Sequence, residues 1–113
     1  MTADVSARSH VLTHFRWVDG DADTWNMLRD EASLSAIVAD LARLSAQDRP
    51  DVVVGIEARG FVFAPLVALT LGIGFSPIRK GDAMFPGDTA MVESAPDYRG
   101  KTQKLSLRID HLG

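Results

Sequence analysis

The sequence predicts an α/β domain, a parallel sheet with flanking helices and a short antiparallel hairpin towards the end. Three observations carry this. Residues 51–57 are an unalternating β-branched run, the mark of a strand buried on both faces. Residues 60–71 are apolar almost all round, which suits a buried helix. Residues 74–79 are strand-like again, and strand, helix, strand within thirty residues is a right-handed parallel crossover.

The elements follow in order. Residues 1–20 are read as a poorly ordered lead-in: 1–10 are polar and frayed, and 11–18 are extended or irregular. Asp19-Gly20-Asp21 is a turn. The first helix runs over Glu31–Ala46, capped by the Asp30 carboxylate, which can accept from the free N–H groups of the first turn. Leu34, Ile37, Val38, Leu41 and Leu44 form its apolar stripe, with Ser35, Asp40 and Arg43 facing away. Pro50 stops it, and Trp25, Met27 and Leu28 pack beneath it. In the second helix, Pro65 requires a start near Phe61 or Val62, where early N–H groups have no intrahelical partner. Gly72 ends that helix, and Pro77 pushes the following strand towards an edge or a strand end. Gly81-Asp82 and Phe85-Pro86-Gly87-Asp88 are loop signals. Thr89–Glu93 reads as a strand and 95–101 as a turn-rich loop. From Lys104 the residues alternate, with Leu105, Leu107 and Ile109 inward and Lys104, Ser106 and Arg108 outward. That is a half-buried strand antiparallel to the one before it.

Composition bounds the function. The 113 residues are 46% hydrophobic and 24% charged, ordinary for one globular domain or part of one, and far from a disordered or repetitive chain. The absence of cysteine excludes disulfides, thiolate metal sites and a cysteine nucleophile. The net charge of −3 argues against a generic nucleic-acid binder. No apolar run is long enough to span a bilayer, and none suits a signal peptide, so the reading is cytoplasmic with no membrane partner. The charge is uneven. Residues 1–57 hold five Arg against ten Asp and Glu, a net −5; residues 58–113 hold seven Lys and Arg against five acids, a net +2.

Those cations point to a site. Ligands of open α/β sheets bind beyond the carboxyl ends of parallel strands. The first strand ends in Glu57-Ala58-Arg59-Gly60 and the second in Arg79-Lys80-Gly81, so both clusters leave the sheet at one edge. A helix N-terminus beside them adds partial positive charge, and Gly60 lets backbone approach a ligand. A phosphate-rich anion is the natural guest, with arginine offering paired donors. The plainer alternative is Glu57 ion-paired with Arg59 or Arg79 as structural glue. His10, His14 and His111 have no metal-ligand spacing, and metal ligands are expected nowhere. No G-x-S-x-G, Walker or G-x-G-x-x-G motif is present.

The residues 53–61, Val-Val-Gly-Ile-Glu-Ala-Arg-Gly-Phe, followed by a buried helix and then Gly74-Phe75-Ser76-Pro77-Ile78-Arg79-Lys80, resemble the adenine phosphoribosyltransferase family. Phe85-Pro86-Gly87 and Asp97-Tyr98 resemble its Leu-Pro-Gly loop and Glu-Tyr-Gly motif, and the likeness covers about residues 24–110. The resemblance implies a type I phosphoribosyltransferase fold with a small hood. It implies conversion of adenine and 5-phosphoribosyl 1-pyrophosphate to AMP and pyrophosphate, with Mg²⁺, in a homodimer. It implies substrate-binding roles for Glu57, Ala58, Arg59, Gly60, Arg79 and Lys80, and catalytic roles for Arg79 and for Tyr98 on a closing loop.

Two departures stand out. Ala83-Met84-Phe85 replace the family's loop lysine, and Arg99 separates Tyr98 from Gly100. The family's acidic pair and Thr-Gly loop, which cradles the 5-phosphate, would follow Gly113; the expectation is therefore a partial domain, inactive by itself. The alternatives are a non-catalytic nucleotide- or phosphate-binding module on the same frame, and a partner protein with coincidental patterning.

Overall fold

The structure is a computed structural model that describes residues 7–81 and 87–111. It divides into two compact units, Met1–Pro50 and Asp51–Gly113.

The first unit is mostly helical. Residues Ala7–His14 form helix α1, where the sequence predicts a frayed and irregular lead-in. The eight residues carry no strong apolar stripe; what holds them is packing on helices α2 (Trp25–Arg29) and α3 (Glu31–Ala46). Tertiary contact overrides weak propensity here. Strands β1 (Arg16–Val18) and β2 (Asp21–Asp23) make an antiparallel hairpin. Its turn residues Asp19 and Gly20 both have positive φ, 49° and 83°, the turn whose twist matches that of a two-stranded ribbon. Arg16 Nε donates to Asp23 Oδ2 at 2.7 Å across the hairpin.

Helix α3 begins where predicted, with the Asp30 carboxylate accepting from Ser33 N at 2.9 Å. Its buried face is rotated from the predicted stripe. Ser33, Ile37, Val38 and Ala42 are inside, whereas Leu41 and Leu44 are exposed. Met27 is buried as expected, but Trp25 is not.

The second unit is a four-stranded mixed sheet, in the order β3 (Val52–Ile56), β4 (Gly74–Lys80), β6 (Lys104–Arg108), β5 (Thr89–Glu93). β3 and β4 are parallel, with Val52 opposite Gly74 and Ile56 opposite Ile78, joined through helix α4 (Arg59–Leu71). β5 and β6 form the predicted antiparallel hairpin, and β6 also pairs antiparallel with the end of β4. The hairpin thus extends the parallel pair into one sheet.

Pro77 lies in a strand with neighbours on both sides, not at an edge. Ile78 directs its carbonyl to Glu57 N of the β3 side at 2.9 Å, so Pro77, one residue back, directs its missing donor the opposite way. There the β6 ladder covers only Arg79 and Lys80, and no hydrogen bond is forfeited.

Burial in this unit differs from the sequence reading in three places. β3 is covered on one face only: Gly55 is buried against α4, while Val52, Val54 and Ile56 are exposed on the other face, Val54 at 45%. α4 buries Ala64, Val67 and Ala68 but leaves Leu69 exposed. In β6 the buried residue is Ser106, whose hydroxyl donates to Gly81 O, and Ile109 has left the strand for a short 3₁₀ turn. Alternation told the two faces apart but not which was covered.

α4 starts at Arg59, two residues before the start that Pro65 favours, so the proline lies inside the helix. At the other end Gly72 adopts φ 74°, and Ile73 N donates to Ala68 O, closing the helix with a left-handed cap.

Candidate functional site

The parallel pairing of β3 and β4 sets the site. Residues Ile56 and Ile78 are opposite one another, so the chain leaves both strands at the same end of the sheet. Beyond β3 the chain passes through Glu57 and Ala58, joined by a cis peptide bond, into α4. Beyond Ile78, β4 continues through Arg79 and Lys80.

Glu57 organises this end. Its Oε1 accepts from the Lys80 backbone N–H at 3.1 Å and lies 3.7 Å from Arg79 Nε. The carboxylate therefore ties the end of one strand to the end of the next. Both side chains are partly solvated, 35% for Glu57 and 42% for Arg79, so the pair adds little stability of its own. The Lys80 side chain is exposed, and Arg59 is exposed at the first turn of α4. A cation at a helix N-terminus opposes the helix dipole, so local stability does not explain Arg59 there.

The structure thus brings Glu57, Arg79 and Lys80 together and sets Ala58, Arg59 and Gly60 at the adjoining strand-to-helix turn. Gly60 has an evident packing duty. A Cβ there would stand 2.9 Å from the Gly55 carbonyl carbon, and one on Gly55 would stand 2.5 Å from Gly60 O. The two glycines let the start of α4 lie directly on β3.

Tyr98 occupies a turn between β5 and β6 and is 95% exposed, with the Arg99 guanidinium 5.5 Å from its ring centre. The turn is built on Asp97, whose Oδ1 accepts from Arg99 N at 2.8 Å and Lys101 N at 3.0 Å. The Lys101 N–H, then the Arg99 N–H and guanidinium, hold the Asp97 carboxyl below the usual carboxylate range. Gly100, at φ 74°, completes the turn, so the Arg99 that departs from the family motif pairs with Asp97. Ala83, Met84, Phe85 and Pro86 lie outside the described residues.

A second polar cluster escapes the sequence reading. His10 and His14 are one helical turn apart on α1 and face Asp30 and Ser33. The four-residue spacing is visible in the sequence, but it carries meaning only once 7–14 is known to be helical.

An α/β unit with a parallel crossover, an appended antiparallel pair and a basic sheet edge defines a class, the type I phosphoribosyltransferase fold. The particular likeness is to the adenine phosphoribosyltransferases. Adenine phosphoribosyltransferase of Natranaerobius thermophilus is 40% identical over 90 residues, 80% of this chain and 51% of that protein. The protein of the same name from Clostridium perfringens is 42% identical over 76 residues, 67% of this chain and 44% of its own. Among solved structures, the Giardia lamblia enzyme complexed with 9-deazaadenine superposes with a TM-score of 0.80 at 27% identity, over 96% of this chain and 62% of that one. The Rhodothermus marinus enzyme gives 0.76 at 25%, over 92% and 61%. The chain spans about half the length of the curated relatives it matches. No protein-family model matches it.

Proposed function

We propose that this chain supplies the diphosphate-facing part of a purine-salvage adenine phosphoribosyltransferase, which joins adenine to 5-phosphoribosyl 1-pyrophosphate and releases pyrophosphate and AMP. The observation that carries the reading is the Glu57–Arg79–Lys80 arrangement at the end of the parallel pair, in a chain whose relatives bear that enzyme's name. The non-catalytic alternative has no comparable support.

In this reading Arg79 offers its guanidinium to the diphosphate, with Lys80 and Arg59 adding charge. Glu57 holds Arg79 and the Lys80 backbone in place before substrate arrives. The leaving diphosphate gains negative charge as the ribosyl bond breaks, so prearranged cations favour the transition state over the ground state. In this reading Tyr98, exposed on its turn, closes over the reacting carbon and excludes water.

Mg²⁺ prefers oxygen ligands in octahedral geometry. At this edge the carboxylate among the described residues is Glu57, already engaged by Lys80 N–H and Arg79, so these residues form no cage for the ion. The Mg²⁺ of the family is assigned to the substrate's phosphates, as part of the substrate. The working unit is proposed to be a cytoplasmic homodimer; among the described residues, no helix is long and apolar enough to cross a membrane.

Titration calorimetry with 5-phosphoribosyl 1-pyrophosphate and Mg²⁺ tests this. Binding that weakens at least tenfold in Arg79→Ala is the expected result. Equal affinity in the two proteins overturns the assignment.

A further inference from the structure

We propose that His10, His14 and Asp30 form a binding site for a borderline divalent transition metal such as Zn²⁺ or Co²⁺, separate from the sheet edge. One nitrogen of each ring and one carboxylate oxygen of Asp30 lie within 4.8 Å of one another, and all three residues are half-buried. Two imidazoles and a carboxylate are the donor set of many three-ligand zinc sites, which leave a fourth position for water. Soft thiolates are absent and hard oxygen donors are in the minority, which disfavours Cu(I) and Mg²⁺ alike.

The local structure holds the donors in place. His10 and His14 are one turn apart on α1, and their rings are stacked, nearly parallel at 9°, with centres 6.4 Å apart. His14 Nε2 is already 3.6 Å from Asp30 Oδ2. Ligand atoms of a tetrahedral site with bonds of about 2.0–2.1 Å stand roughly 3.4 Å apart, so closure requires shifts of about 1 Å.

Ser33, fully buried, links two of the donors: its hydroxyl donates to Asp30 Oδ2 at 2.8 Å and lies 3.2 Å from His10 Nδ1. Asn26 Nδ2 donates to the His14 carbonyl at 2.8 Å, anchoring the end of α1. Such outer partners orient metal ligands. A cavity of about 260 Å³, lined by His14, Asn26, Arg29 and Asp30, adjoins two of the three donors. Residues 1–50 hold five Arg against eight Asp and Glu, a net −3, which favours a cation in this unit. A plain His14–Asp30 ion pair would account for one of these contacts but not for the convergence of three donors.

Cobalt titration of the 113-residue protein, read by visible absorption and by metal content after gel filtration, tests the site. The expected result is one Co²⁺ per chain at micromolar concentration, displaced by Zn²⁺ but not by a tenfold excess of Mg²⁺. Affinity should fall at least tenfold in His10→Gln and in His14→Gln and remain unchanged in His111→Gln. Proton NMR of the wild-type protein needs no variant: Zn²⁺ should shift the ring resonances of His10 and His14 and leave those of His111. No uptake at micromolar Co²⁺, uptake that survives either substitution in folded protein, or zinc shifts that spare His10 or His14 overturns the proposal.

Discussion

Single atoms decide what several residues can be. Gly55 and Gly60 meet backbone to backbone, and a Cβ on Gly55 would stand 2.7 Å from the Ala64 Cβ as well. Because backbone cannot swing aside as a long side chain can, Gly55→Ala should destabilise the protein by roughly 3 kcal/mol, measurable by denaturant unfolding. A loss below about 0.5 kcal/mol would show that β3 and α4 are not so close. Asp30 and Asp97 make a pH prediction. Both carboxyls are held below the usual range by hydrogen bonds, Asp30 chiefly by the Ser33 hydroxyl and Asp97 chiefly by the Lys101 N–H. A group with a depressed folded-state pKa stabilises the fold above its unfolded value and loses that contribution as pH falls through the folded one. Stability should therefore decline below about pH 4, and the decline should be shallower in Asp97→Asn. An unchanged acid limb in that variant would contradict the assignment.

At the scale of elements, termini were more legible than faces. Asp30 before an apolar periodic run marks the start of α3, and Gly72 marks the end of α4, because a carboxylate cap and a positive φ are chemical requirements of particular residues. Nothing lies within 4 Å of a Cβ built on Gly72, so Gly72→Ala should cost only the left-handed conformation, about 1 kcal/mol. Thermal unfolding would read this as a small drop, in contrast to Gly55→Ala. Faces were misread where composition was nearly uniform. In β3 every candidate is apolar, so the run suggests cover on both faces, yet Val54 is exposed and only the α4 side is packed. Val54→Thr should change stability by less than about 0.5 kcal/mol, whereas Val67→Ala, in the buried face of α4, should cost roughly 2 kcal/mol. Helix α1 was missed for the opposite reason. Its sequence has no strong pattern, and contacts with α2 and α3 hold it.

For the whole molecule, the part of the candidate site legible in the sequence is the part fixed by topology. Two parallel strands must leave the sheet at one edge, which predicts Glu57, Arg59, Arg79 and Lys80 in one cluster; the structure joins Glu57 to Arg79 and to the Lys80 backbone, with Arg59 exposed on the first turn of α4. What spacing did not show was that Glu57 binds the Lys80 backbone as well as facing Arg79, or that Tyr98 stands on a turn built by Asp97. Nor did it show that the hairpin of β5 and β6 continues the sheet, since antiparallel pairing with β4 involves only Arg79 and Lys80.

The central claim is that this sheet edge is a diphosphate site and not structural glue, and the melting temperature in the presence of pyrophosphate tests it most directly. A ligand that binds only the folded state raises the melting temperature by mass action. The account predicts a rise at millimolar pyrophosphate that shrinks in high salt and is mostly lost in Arg79→Ala. A wild-type melting temperature unmoved by millimolar pyrophosphate, or a rise that Arg79→Ala leaves intact, would contradict it.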